Sequence, residues 1–192
     1  MIPLIVFNSA EDSNMPFITT NDNIKLYYEE VGSGTPVIFA HEFGGDIRSW
    51  ELQFRHFARS YRVIGFNARG YPASDVPEDE NHYGQHRATK DILDLLDALE
   101  IKQAHIVGLS MGGFATLHFG FNNPDRALSL TVAGVGYGAH PNVHNQFSEE
   151  TKQVAKRIEV DSMEKFGEVY AIGPTRVQFA NKDPHWGSLL SN

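Results

Sequence analysis

Short continuous apolar runs alternate with helix-spaced apolar stripes along most of this chain. The runs are Pro36 to Ala40, Arg62 to Phe66, Ala104 to Val107 and Leu128 to Val135. Apolar runs of this length, without polar alternation, predict strands buried on both faces of a parallel sheet. Ahead of them, Phe17 to Thr20 and Ile24 to Val31 are β-rich and flank Asn21-Asp22-Asn23. That pattern predicts a hairpin. Between the runs, Trp50, Phe54 and Phe57 fall at helical spacing. Ala88, Ile92, Leu95, Leu96 and Leu99 form a single stripe, and Met111 to Phe121 is helix-compatible. Asp91, Asp94 and Asp97 lie off that stripe beside Lys90, and we read them as a solvated face rather than a metal site. Strand and helix alternate from Pro36 to Gly138. The expected fold is an α/β class, three-layer α/β/α sandwich around a mostly parallel sheet, with right-handed crossovers.

The pattern changes after Gly138. Ser148 to Ile158 is a charged helix pattern, and Asp161-Ser162-Met163-Glu164 resembles a capping box opening a second helix. Gly173-Pro174 breaks it, and a third helix is expected over Pro174 to Leu190, interrupted at Asp183-Pro184. Residues 1–14 read as a tail, with Pro3 to Asn8 as an alternative edge strand and Met15 as a second candidate start. The expected organisation is therefore a tail over 1–14, an α/β core over 15–138 and a partial helical lid over 139–192.

Composition narrows the class. The 192 residues suffice for one domain with an appendage. A net charge of −8 argues against a nucleic-acid surface. No cysteine means no disulfide, thiolate metal site or cysteine nucleophile. No stretch is long enough to span a bilayer, and the first residues lack the marks of a signal peptide. These features suit a cytoplasmic enzyme with a small neutral or apolar substrate.

The candidate chemistry lies at Gly108-Leu109-Ser110-Met111-Gly112. A serine between a strand and a helix sits on a sharp turn at the end of the sheet, where its hydroxyl is pushed outward. Gly108 and Gly112 let neighbouring chain approach, and the helix N-terminus supplies free N–H groups. A serine nucleophile in acyl transfer needs N–H donors aimed at the developing oxyanion. One is the backbone N–H of Met111. The other is expected from the loop His41-Glu42-Phe43-Gly44-Gly45 after the first parallel strand, with the Phe43 N–H as the named donor.

HEFGG at 41–45, NARGYPASD at 67–75, GLSMGG at 108–113 and VAGVGYG at 132–138 together resemble the α/β-hydrolase fold family, in its branch of single-domain hydrolases with a helical lid. The resemblance runs from about Phe17 to Leu189. It implies that Ser110 forms an acyl-enzyme, that Phe43 and Met111 hold the oxyanion, and that His41, Gly44, Arg69, Gly108 and Gly112 are structural. Arg69 and Asp75 are expected to tie their loop together. GLSMGG is similar to small esterases and enol-lactonase-like enzymes, so the implied substrate is a small carboxylic ester or lactone, with no cofactor or metal. A carbon–carbon bond hydrolase or a cofactor-free perhydrolase on the same scaffold is the rival enzyme.

Two features depart from the family pattern. Glu42 stands where glycine is common, and we read it as an outward, solvated side chain. In the family the triad acid and histidine follow the serine, in that order, after the lid. Here two βα units, roughly 60–80 residues, are expected beyond Asn192. His118, His140, His144 and the Asp183–His185 pair are weak substitutes. The expectation is a C-terminally truncated chain, with an exposed apolar edge on the strand from Leu128 to Val135 that favours self-association. The reading from outside enzymology is a non-catalytic fragment or a pseudoenzyme that binds a ligand or partner.

Overall fold

The computed structural model describes residues 16–171, 173 and 181. The tail expected over 1–14, Met15, all but Asn181 of the third helix expected over 174–190, and the Asp183–His185 pair lie outside the described residues. The chain divides into two compact units, one running through Ala133 and the other from Gly134.

The first unit is built on a sheet whose described strands are β1 (Phe17–Thr19), β2 (Lys25–Gly32), β3 (Thr35–Ala40), β4 (Tyr61–Phe66), β5 (Ala104–Leu109) and β6 (Ala127–Ala133). Their order is β1-β2-β4-β3-β5-β6. β1 and β2 form the expected antiparallel hairpin, and β2 pairs antiparallel with β4. The pairs β4–β3, β3–β5 and β5–β6 are parallel. The sheet is therefore mixed and mostly parallel.

The apolar runs of β3 and β4 are continuous because the sheet is covered on both faces there. Ile38, Ile64, Phe66, Ala104 and Ile106 point to one face, where they meet Ile92, Leu95 and Leu96 of α2 (Gln85–Ala98) and Ala115 and Phe119 of α3 (Met111–Asn122). Val37, Phe39 and Val63 point to the other, against Ile47, Trp50 and Phe54. Trp50 closes a short 3-10 turn, and Phe54 lies on α1 (Glu51–Phe57). Burying each such side chain contributes about 1.5–3 kcal/mol. At the other edge, Leu128 and Leu130 of β6 stay 44% and 37% exposed, and among the described residues β6 pairs with β5 alone.

Two expectations about charge are corrected here. The carboxylates of α2 are not a solvated row: Asp91 and Asp94 are buried. Asp94 pairs with Lys90 at 2.7 Å and accepts the Asn21 N–H at 3.1 Å, whereas Asp97 is exposed and pairs with Arg126. Arg69 is buried, and it reaches away from its own loop instead of tying to Asp75. Its Nε and Nη2 grip Asp91 at 2.9 and 2.6 Å, and its Nη1 and Nη2 grip Asp22 at 2.8 and 3.0 Å. Asp75 accepts the Lys25 N–H at 2.7 Å instead. A guanidinium fork can serve two carboxylates at once, so one arginine joins the hairpin turn, the loop after β4 and α2. Among the described residues, no three or more His, Asp or Glu side chains come together as a metal-binding group.

In the second unit, α4 (Pro141–Val160) starts seven residues before the expected Ser148, and α5 (Met163–Ala171) follows. The early start has a local cause. Pro141 presets the first helical residue, and the His140 ring accepts the Asn142 N–H at 3.2 Å. Ser162 caps α5 by accepting the Lys165 N–H at 3.2 Å. No described helix is long and apolar enough to cross a membrane.

The arginine cluster makes the first unit acid-sensitive. Hydrogen bonds from Arg69, and lesser ones from Thr20 and His82, hold the Asp22 carboxyl well below the usual carboxylate range, against the effect of burial. Arg87 also faces it at 3.4 Å. The folded protein keeps Asp22 ionised where the unfolded chain, titrating near about 4, takes up a proton. This stabilisation is complete above about pH 4 and is lost as pH falls further. Urea denaturation of Asp22→Asn should show a lower plateau and a shallower acid limb than the native protein. Arg69→Met leaves the buried Asp91 without its partner and takes the main partner from the half-buried Asp22, and should cost roughly 3–5 kcal/mol.

Candidate active site

Ser110 stands between β5 and α3 with φ +52° and ψ −112°. A non-glycine residue held at positive φ costs roughly 1–3 kcal/mol and persists only where its surroundings impose it. Three hydrogen bonds do so. The Ser110 N–H donates to the Ala133 carbonyl at 2.8 Å, and the Phe114 N–H donates to the Ser110 carbonyl at 2.9 Å. One step into α3, the Gly112 N–H donates to the His41 carbonyl at 3.1 Å. The flanking glycines are steric requirements. A Cβ on Gly112 would overlap the Ala40 carbonyl, and one on Gly108 would overlap the Gly112 carbonyl and the Thr116 hydroxyl. The turn thus wedges the start of α3 against the end of β3.

The loop after β3 lies beside this turn. His41 is buried. Its Nε2 accepts the Ala68 N–H at 3.0 Å, which leaves Nδ1 to carry the proton and donate to the Glu42 carbonyl at 2.8 Å. Burial holds its pKa below the usual imidazole range. His41 is therefore a neutral brace between the ends of β3 and β4, with both ring nitrogens engaged. The Gly45 N–H closes a turn onto the Glu42 carbonyl at 3.1 Å, and Gly44 at its third position has φ +73°. Phe43 is 37% exposed in this turn. The Gly44 N–H donates to the Tyr71 hydroxyl at 3.3 Å, and that hydroxyl reaches the Met111 Sδ at 3.9 Å.

Glu42 does not point outward as expected. Its Oε1 accepts from the Ser49 hydroxyl at 3.1 Å, its Oε2 is buried, and the side chain folds over Gly45. The absence of a Cβ on Gly45 provides the space.

Among the described residues, no side chain hydrogen-bonds the Ser110 hydroxyl. The candidate bases that the structure describes are engaged elsewhere. His118 sits edge-on to Phe121 along α3. His140 caps α4, and the His144 Nδ1 meets the Gly138 carbonyl at 3.0 Å, both within the second unit. Sequence reasoning did not single out Tyr71. The available signal was a phenol directly after Arg69-Gly70 at a strand's carboxyl end, where functional loops gather in such sheets.

A mostly parallel sheet with helices on both faces and a serine on the strand–helix turn are the features of the α/β-hydrolase fold. Residues 35–161 match the family described as alpha/beta hydrolase fold, and the chain belongs to that family. It is 37% identical over 97 residues to 3-oxoadipate enol-lactonase 1 of Acinetobacter baylyi, covering 50% of this chain and 35% of that protein. It is 32% identical over 137 residues to 2-hydroxy-6-oxo-6-phenylhexa-2,4-dienoate hydrolase of Burkholderia cepacia, covering 66% of this chain and 47% of that one. Among solved structures, a hydrolase from Pseudomonas aeruginosa aligns with TM-score 0.73 and 26% identity, over 94% of this chain and 68% of that one. The enol-lactonase from Burkholderia xenovorans aligns with TM-score 0.76 over 92% of this chain and 66% of that one, and at 21% identity it bears on the fold alone. The chain spans about a third to a half of the length of these curated relatives.

The wedge yields a stability prediction. Gly112→Ala must push α3 off the end of β3 and should destabilise the protein by about 1–3 kcal/mol in urea titrations. Ser110→Ala keeps the same packing and should stay within about 0.5 kcal/mol of the native protein.

Proposed function

We propose that this protein is a serine hydrolase acting on a small carboxylic ester or lactone through an acyl-enzyme at Ser110. The observation that carries this reading is the strained Ser110 backbone, wedged between Gly108 and Gly112 at the head of α3. The Ser110 Oγ attacks the substrate carbonyl carbon as a general base takes its proton. The carbonyl oxygen becomes an oxyanion, held by the Met111 and Phe43 N–H groups and by the N-terminus of α3. Collapse breaks the ester bond, and the leaving oxygen takes up the proton. Water then cleaves the acyl-serine by the same route in reverse. His41 has no part in this proton transfer, since both of its ring nitrogens are already bonded. We read α4 and α5 as lid helices from their position in the chain after β6.

A second reading is favoured by the relatives named as hydrolases of 2-hydroxy-6-oxo-dienoates. There the same attack falls on a ketone carbon, and the bond broken is carbon–carbon.

Labelling tests both readings. The chain should take up one equivalent of a fluorophosphonate, seen by intact-mass spectrometry, and Ser110→Ala should take up none. Equal uptake by the two proteins, or none by either, would falsify Ser110 as nucleophile in this chain. An acyl burst from p-nitrophenyl butyrate without loss of 2-hydroxy-6-oxo-6-phenylhexa-2,4-dienoate absorbance selects the ester reading; the converse selects carbon–carbon cleavage.

The exposed β6 edge supports self-association of the chain. Light scattering across a concentration series should show mass rising in the native protein. Leu128→Lys, which places a charge on that edge, should hold the monomer. A monomer at every concentration for both proteins rules the association out.

A further inference from the structure

We propose that Tyr71 is the positioning residue that holds together the two loops bearing the proposed oxyanion donors. The proposal rests on the serine-hydrolase reading for its consequence, and on geometry alone for the tie itself. The Tyr71 hydroxyl accepts the Gly44 N–H at 3.3 Å and is directed at the Met111 Sδ at 3.9 Å. Gly44 follows Phe43, and Met111 follows Ser110, so one phenol oxygen touches the neighbour of one proposed donor and the side chain of the other.

Tyr71 is itself braced at several points. Its ring stands edge-on to His41, with centroids 4.8 Å apart and planes at 74°. The Tyr71 N–H donates to the Ala68 carbonyl at 3.0 Å, and the Ser74 N–H donates to the Tyr71 carbonyl at 2.9 Å. The Ala68 N–H in turn holds the His41 ring, whose other nitrogen holds the Glu42 carbonyl. The ends of β3, β4 and β5 are thereby joined in one circuit that closes through the phenol.

The part of this circuit with least stiffness of its own is Gly44-Gly45. Glycine explores more backbone conformations than any other residue. Gly44 sits at φ +73° and projects no side chain that could anchor it. Its N–H bond to Tyr71 limits that freedom on the side facing Met111. An oxyanion hole acts by having its donors in place before charge develops, so small displacements reduce the rate of the chemical step more than substrate binding.

The test is Tyr71→Phe, which keeps the ring against His41 and removes only the hydroxyl. Tyr83→Phe is the control, since the Tyr83 hydroxyl donates to the Pro77 carbonyl in the neighbouring loop. Two quantities are measured on the full chain. The first is amide hydrogen exchange at Gly44 by NMR, expected to rise about two- to tenfold in Tyr71→Phe, with Ile106 of the core unchanged. The second is Ser110 phosphonylation by a p-nitrophenyl phosphonate. Its limiting rate is expected to fall about tenfold with half-saturation unchanged. Tyr83→Phe should move neither. Unaltered Gly44 exchange overturns the tie. Faster exchange with an unaltered limiting rate, or equal effects in both variants, overturns the positioning role. If the native chain is not phosphonylated at all, the nucleophile reading fails, and Gly44 exchange alone decides whether Tyr71 holds the loop.

Discussion

The first turn of α3 lies against the last residues of β3 with no side chain between them. This contact has a hydrogen bond, Gly112 N–H to the His41 carbonyl, and a steric condition, the missing Cβ of Gly112 over the Ala40 carbonyl. Moving α3 outward by the width of a methyl group would open both. The positive φ of Ser110 follows from the contact, because the chain must leave β5 and enter α3 within one residue to achieve it. The strain at Ser110 is therefore imposed by packing on either side of it and offset by the core that α3 and α2 bury against the sheet.

The loops at the carboxyl edge of the sheet are stiff for a different reason. Two polar networks brace them, and each crosses large sequence separations. One is the His41–Ala68–Tyr71–Gly44 circuit close to Ser110. The other is the Arg69 fork, whose guanidinium ties Asp22 and Asp91 across the hairpin turn and α2. Neighbouring residues in the NARGY run thus face opposite ways: Arg69 goes to the carboxylates and Tyr71 to the loop beside the serine. A single loop supplies both stability and placement.

The expected elements matched the observed ones closely wherever apolar continuity carried the signal, as in β3, β4, β5 and the α2 stripe. Continuity works there because β3 and β4 are buried on both faces, while β5 is buried on one face and half-buried on the other. The same logic failed for Asp91 and Asp94. Their spacing off the apolar stripe correctly excluded them from the aliphatic core, but spacing cannot reveal a buried arginine arriving from another loop. It failed again at Glu42, where glycine two positions before the next helical turn leaves room for the carboxylate to fold inward over Gly45. The early start of α4 was hidden for a simpler reason: its first turn is set by a proline and a capping ring, and not by periodicity.

What the sequence determined by itself is local and repetitive. Apolar runs and stripes specify strands and helices, glycines flanking a serine specify a tight strand–helix turn, and a loop with paired glycines marks a backbone that can bend. What only the tertiary structure decided is which distant groups complete each other. The tautomer of His41, the two partners of Arg69, the inward fold of Glu42 and the reach of Tyr71 to Gly44 and Met111 all depend on strand order. β4, β3 and β5 are adjacent in the sheet but not consecutive along the chain. Their ends meet only after the sheet has assembled, so no pattern within any one segment encodes the contacts made there.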